Sequence, residues 1–298
     1  EKQFFPGYFV PAMALIITSL NSGSNGNCYY IGNAQEAVLV DAGISCRETE
    51  ARMHRLGLSM EKVKAIFISH EHSDHIKGLE VLARKYQLPV YITEKTLRNS
   101  RLHLAPHQVL GFEAGRAVQI GGLSVTGFPK FHDASDPHSF VVSGHGVNIG
   151  VFTDIGSPCQ HLVHYFKQCH AAILETNYDD EMLENGFYPV HLKRRIRGRH
   201  GHLSNQQALE LFKLYKPEFM SHLFLAHLSK DNNCPDLAQN LFAAQAGSTE
   251  VVVASRFVET QVYEIPALEG YNGPLKPFRE KPKKPTRKEL AASQLSLF

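Results

Sequence analysis

The stretch "ISHEHSDHIKG" holds four side chains of metal-ligating chemistry, His70, His72, Asp74 and His75, within six residues. That crowding constrains the chain more than any other feature. His70 and His72 share one side of an extended segment leaving the apolar run "VKAIFISH", which reads as a buried strand. Asp74 and His75 follow at the entry to a helix. The ligands therefore belong at the open end of a strand, where a site meets solvent. Imidazole and carboxylate suit Zn²⁺ or Mn²⁺, and so many donors in so short a run point to two ions rather than one. Seventeen histidines in 298 residues agree with that chemistry.

Around this cluster, short β-branched runs alternate with helical periodicity. "ALIITSL", "NCYYIG" and "AVLVDAG" read as successive strands separated by Gly/Asn turns. "LPVYIT", "GLSVTGFP", "HSFVVSG", "VNIGVFTD", "HAAILET", "PEFMSHLFLAHLS" and "RFVETQVYEI" continue the series. "RETEARMHRLGL", "DHIKGLEVLARKYQL", "PCQHLVHYFKQC", "SNQQALELFKLY" and "PDLAQNLFAAQA" read as helices. Mostly antiparallel strands with helices on their outer faces predict a layered α/β sandwich over residues 13–265. Beyond Ile265, Pro and Lys accumulate and periodicity stops, so 266–298 reads as a flexible tail. Residues 1–12 read as an N-terminal extension or a cloning remnant ahead of a natural start at Met13.

No run of eighteen apolar residues is present, and the opening segment lacks the features of a signal peptide, so neither a transmembrane helix nor membrane partnership is expected. Five scattered cysteines without a C-x-x-C read as free thiols in a reducing compartment, which predicts a cytoplasmic protein. The formal net charge is +2, unevenly placed. From Pro266 onward seven Lys/Arg face three Glu, leaving the body slightly acidic and the tail basic.

With "ISHEHSDHIKG" come Asp41 in "LVDAG", His132 in "KFHDASDP", Asp154 in "FTDIG", His202 in "GHLSN" and His227 in "AHLSKDNN". In this order the chain resembles the metallo-β-lactamase superfamily over nearly all of residues 13–265. "NSGSNGNCYYIG", "GHLSN" and "HLSKDNN" are similar to its YycJ/WalJ branch, described as 5′→3′ DNA exonucleases and related to RNase J and RNase Z. The resemblance implies a four-layer αββα sandwich with one ion on His70, His72 and His132 and another on Asp74, His75 and His227. Asp154 would bridge them. Asp41 would orient a ligand, and Glu175 in "LETNYD" would support the site or serve the fold alone. Asp74, Asp154 and His202 are the implied catalytic groups. His202 would protonate the leaving 3′-oxygen, unless it exchanges roles with His227 or a water supplies that proton.

Three features bear on the substrate. "HLKRRIRGRHGH" sets Lys193, Arg194, Arg195, Arg197 and Arg199 beside His202, where they could grip phosphates along a strand or simply be solvated. Ser229, Lys230 and Asn232 follow His227 and could hold a terminal 5′-phosphate. The terminal "QLSLF" resembles the peptide that binds bacterial proteins to the DNA sliding clamp. Gln294 would bond at the pocket edge while Leu295, Leu297 and Phe298 fill it. The expectation is a two-metal 5′→3′ DNA exonuclease recruited to the clamp, plausibly in mismatch repair. An RNA-processing nuclease, or a small-molecule phosphodiesterase or other ester hydrolase of the same fold, is the alternative. A non-catalytic clamp-binding protein fits an intact ligand set less well.

Overall fold

A computed structural model of the protein describes residues 14–267 and 274–279. The N-terminal extension and the peptide Gln294–Phe298 lie outside the described residues.

Two seven-stranded sheets stack face to face. The first collects β1 (Ala14–Asn21), β2 (Cys28–Gly32), β3 (Ala37–Val40), β4 (Val63–Phe67), β5 (Val90–Tyr91) and β6 (Val109–Leu110). The second collects β7 (Ala117–Ile120), β8 (Leu123–Pro129), β9 (His138–Gly144), β10 (Val147–Phe152), β11 (Ala171–Glu175), β12 (His222–Ala226) and β13 (Glu250–Val253). The last strand, β14 (Tyr263–Pro266), returns to pair with β1.

Each sheet is half antiparallel and half parallel, where the sequence reading expects mostly antiparallel pairing. The connections explain the difference. Short turns link some of the antiparallel pairs: His145 and Gly146, both at positive φ, form the two-residue turn between β9 and β10. The parallel pairs need crossovers. In the first sheet these are α1 (Cys46–Arg55), then α2 (Ser73–Ile76) with α3 (Leu79–Tyr86), then α4 (Glu94–Ser100). In the second they are α5 (Gln160–Phe166), then α6 (Asp180–Asn185), α7 (Val190–Arg197) and α8 (Asn205–Tyr215), then α9 (Pro235–Ala243).

Alternation along the strands divides the core into three layers. Leu15, Ile17, Val38, Val40 and Phe67 face Phe140, Val142, Ile173 and Phe224 between the sheets. Burying each such side chain contributes about 1.5–3 kcal/mol before entropy is counted. Ile16, Tyr30 and Leu39 point outward against Met53, Leu79 and Leu82 of the helices. On the far side Val141, Ala172 and Leu223 pack against Tyr165, Phe166, Phe212 and Phe242. The order is therefore helix, sheet, sheet, helix. Strands buried on both faces need no polar face, which is why they read as unbroken apolar runs.

Two local departures bear on later arguments. The single helix read from "DHIKGLEVLARKYQL" is two, broken at Gly78. Part of the segment read as a flexible tail lies against α5: Lys276 N donates to Gln168 Oε1 at 2.8 Å, and the Phe278 ring sits 4.0 Å from that of His161.

Candidate metal centre

The parallel strands β3, β4, β10, β11 and β12 end at one edge of the sandwich, where open α/β sheets present their sites. Asp41 follows β3, His70 and His72 follow β4, and Asp154 follows β10. Glu175 closes β11 and His227 follows β12. Asp41, Asp154 and His227 all have positive φ (61°, 52° and 57°). Backbone held in this region costs about 1–3 kcal/mol at a non-glycine residue and tends to gather at functional sites.

Asp74 and His75 ride on the single turn of α2, and a single turn needs outside support. It is lashed to the loop after β3. Asn27 N donates to Asp74 O at 2.7 Å, Ala42 N to His75 O at 2.8 Å, and Gly78 N to Ala42 O at 2.8 Å. The approach is too close for side chains: a Cβ on Gly43 would stand 1.7 Å from Asp74 O, and one on Gly78 1.8 Å from Ile44 O. The break at Gly78 is thus what seats the ligand turn.

The histidines are oriented one by one. Asp41 accepts from Ser69 N and Ser69 Oγ, both at 2.8 Å, and from His75 Nδ1 at 2.7 Å. With the Ser69 hydrogen committed to Asp41, His70 Nδ1 donates to Ser69 Oγ at 2.9 Å. His132 Nδ1 donates to Gly201 O at 3.1 Å. Glu175 Oε1 accepts from His227 Nδ1 at 3.0 Å and His202 Nδ1 at 2.7 Å, while Oε2 accepts from Ile155 N and Leu203 N. With Nδ1 so engaged, each of these rings turns its Nε2 away from that partner, the arrangement outer partners impose on ligating histidines.

The free atoms converge. His72 Nδ1 stands 3.1 Å from His70 Nε2 and 3.4 Å from His132 Nε2. Donors on a tetrahedral ion about 2.0–2.1 Å away would be spaced about 3.3 Å apart. Asp74 Oδ2 lies 3.5 Å from both His75 Nε2 and His227 Nε2. Between the two groups, Asp154 places Oδ2 3.2 Å from His75 Nε2 and Oδ1 3.7 Å from His132 Nε2. Asp154 Oδ2 and His227 Nε2 are buried without a hydrogen-bond partner. Buried polar atoms without partners are costly, and facing donor lone pairs repel, so this set fits cations.

Charge divides the centre. Burial, with His75 and Lys130 nearby, holds His70 well below the usual histidine range, and burial lowers His132 similarly. His75 and His227 are raised against the effect of burial, chiefly by Asp154; His227 reaches about 10. Glu175 is lowered to about 2 despite burial, mainly by His202. Burial thus favours the neutral ring at His70 and His132, while the carboxylates around His75 and His227 favour positive charge there.

Residues 36–227 match the model of the Beta-lactamase superfamily domain. The chain belongs to the metallo-β-lactamase superfamily. It is 39% identical over 231 residues to Exodeoxyribonuclease YycJ of Bacillus anthracis, an alignment covering 76% of this chain and 87% of that one. It is 32% identical over 250 residues to Exodeoxyribonuclease WalJ of Streptococcus pneumoniae serotype 2, covering 82% and 92%. Among solved structures, the metallo-β-lactamase fold protein YhfI from Bacillus subtilis superposes with a TM-score of 0.66 at 18% identity, over 84% of this chain and 99% of that one. Human tRNase Z, short form, gives 0.58 at 20%, with the same coverage. As a superfamily member with this cluster, the chain is a metal-dependent hydrolase.

This superfamily site opens through a cleft of about 200 Å³ whose walls include His202, His227, Arg195, Tyr188, Ser24 and Ser229. The basic residues are placed unequally. Arg195 reaches the mouth but pairs with Asp133 at 2.5 Å. Arg197 pairs with Glu184, Lys193 donates to Glu184 O, and Arg199 lies over the Phe131 ring at 4.2 Å. Arg194 is exposed on α7. Asn232 is 1% exposed and its amide turns to Ser229 Oγ, bracing the loop after His227.

Sequence reasoning missed Asn27 and Lys130. The Asn27 amide lies 3.1 Å from His75 Nε2 and 3.2 Å from Asp74 Oδ2. Lys130, buried, donates from Nζ to Thr153 O at 2.7 Å beside Asp154. A lysine ending an apolar strand two residues before His132 was the available signal; Asn27 had none beyond its turn.

Proposed function

We propose that the chain is a two-metal 5′→3′ DNA exonuclease, with zinc or manganese as the native ion. The observation that carries this is the convergence of His70, His72 and His132 beside Asp74, His75 and His227, with Asp154 between, in a relative of two exodeoxyribonucleases. Those six residues would hold two ions, and Asp154 would touch both. When bound, the ions supply Lewis acidity and an activated nucleophile for phosphodiester hydrolysis. Asp41 and Glu175 fix the ring orientations, and Ser69 relays the Asp41 charge to His70.

His202 has the properties of a proton donor. Its side chain is 22% exposed at the cleft, and Glu175 holds Nδ1 so that Nε2 faces outward. A histidine so held can deliver a proton to the leaving 3′-oxygen and recover it from solvent. Replacing His202 with Ala is expected to slow the chemical step about 10²–10⁴-fold with metal content unchanged. Metal analysis beside single-turnover rates checks this; lost metal would make His202 a ligand.

Ser229 and Arg195 line the cleft, and we read them as its phosphate contacts, Arg195 by exchanging Asp133 for a phosphate oxygen. The basic segment leads to the peptide Gln294–Phe298, which we read as a sliding-clamp ligand acting in repair, within the cytoplasm. Because 274–279 rests on α5, the remaining tether of residues 280–293 reaches at most about 50 Å. Deleting Gln294–Phe298 is expected to leave hydrolysis of short oligonucleotides at the wild-type rate and to abolish clamp binding, as measured by surface plasmon resonance. Undiminished binding would remove the peptide from that role.

A further inference from the structure

A second cavity of about 240 Å³ adjoins the metal cleft, and Ser229 lines both. One wall is the loop after His227, with Leu228, Lys230 and Pro235; the other is the loop after β13, with Arg256 and Phe257. Its body is apolar and two cations stand at its edge. Lys230 is exposed, while Asp231 beside it is engaged by the Tyr188 hydroxyl at 3.0 Å. Arg256 is aimed by Leu228 O, 3.0 Å from Nη2.

Phe257 is the unusual member. It is 71% exposed, yet its loop is held on every side. Arg52 Nη2 donates to Phe257 O at 3.0 Å, Phe257 N to Ser255 Oγ at 3.0 Å, Ser22 N to Ser255 O at 3.0 Å, and Asn25 Nδ2 to Arg256 O at 2.8 Å. Ser22 Oγ in turn accepts from His227 N at 2.8 Å, so the aromatic rim and the candidate ligand share one frame. A ring exposed at a cavity mouth on an anchored backbone, with apolar Val258 exposed beside it, is suited to meet another flat surface.

We propose that this cavity is a nucleobase subsite, taking the base of a nucleotide adjoining the scissile phosphate. Phe257 stacks on the base face, and Lys230 and Arg256 receive the neighbouring backbone phosphate. The inference rests on the nuclease reading above and extends it to how the strand is gripped. Every base has a π-face, so a single stacking ring binds a strand without reading its sequence, as a processive degrading enzyme requires. The cations lie where the backbone must pass to connect the two cavities, since Lys230 follows Ser229 directly.

The test compares wild type with Phe257→Ala and Phe257→Tyr in the metal-loaded, full-length protein. The exposed position makes Ala tolerable, and matching melting temperatures and metal content confirm an intact fold. Phe257→Ala is expected to raise KM for end-labelled DNA roughly 5- to 100-fold, with little change in kcat, and Phe257→Tyr to restore it. An oligonucleotide carrying 2-aminopurine should lose fluorescence on binding wild type and keep it with Phe257→Ala. Wild-type KM and quenching in Phe257→Ala would overturn the subsite and leave the nuclease standing. A wild-type protein that hydrolyses bis(p-nitrophenyl) phosphate but neither binds nor cuts DNA would overturn the nuclease reading, and the subsite with it.

Discussion

Asp154→Asn is expected to strip metal from the protein and reduce hydrolysis by well more than the roughly 10–100-fold that loss of an outer partner costs. Asn matches Asp in size and tolerates the left-handed backbone at φ 52°, so the substitution changes charge and little else. Asp154 is the group whose two oxygens face both halves of the centre, Oδ2 toward His75 and Oδ1 toward His132. An amide in its place presents one oxygen and one donor. With metal bound, the donor would point at an ion or at a nitrogen whose lone pair the ion already holds, so the amide disfavours the loaded state. Metal content by mass spectrometry, with rates on labelled DNA, decides the matter. A variant with full metal and full rate would take Asp154 out of the centre.

Glu175→Gln carries the second large effect, through a residue that is fully buried and aims no atom at substrate. Its carboxylate accepts four hydrogen bonds: two from the backbone of Ile155 and Leu203, and two from His202 and His227. A glutamine amide can accept at only one end, so two donors lose their acceptor. Each unsatisfied buried donor costs about 1–3 kcal/mol. The two backbone donors are fixed, so the amide oxygen turns to Ile155 N and Leu203 N and the nitrogen to the rings, and both the candidate proton donor and a candidate ligand lose their acceptor. Activity is expected to fall about 10²–10⁴-fold, one outer-partner loss of about 10–100-fold for each histidine, and the melting temperature to drop. Wild-type activity in a destabilised variant would make Glu175 a fold residue only.

The sequence made some of this plain and hid the rest for physical reasons. The adjacency of His70, His72, Asp74 and His75 is local, so it reads directly from the chain. The layered sandwich follows from apolar runs alternating with helices. Parallel pairing was obscured because periodicity reports burial and not strand direction, whereas the crossovers α1 and α5 decide it. The positions of His132, Asp154 and His227 came through the family resemblance, because nothing local joins residues so far apart in sequence. Asn27, Lys130 and Phe257 stayed hidden: each matters for a contact across the sandwich edge that no spacing encodes. The basic run "HLKRRIRGRHGH" reads as a phosphate track, but its carboxylate partners Glu184 and Asp133 lie outside it in sequence.

The most direct measurement follows linear duplex DNA labelled at either the 5′ or the 3′ end, alongside matched RNA, before and after chelation. The protein is assayed with two equivalents of Mn²⁺ or Zn²⁺ per chain. Release of labelled mononucleotide from the 5′ end first, abolished by chelator, restored by metal and with RNA spared, is the predicted result. Intact DNA in a protein shown to hold two ions per chain would contradict the account.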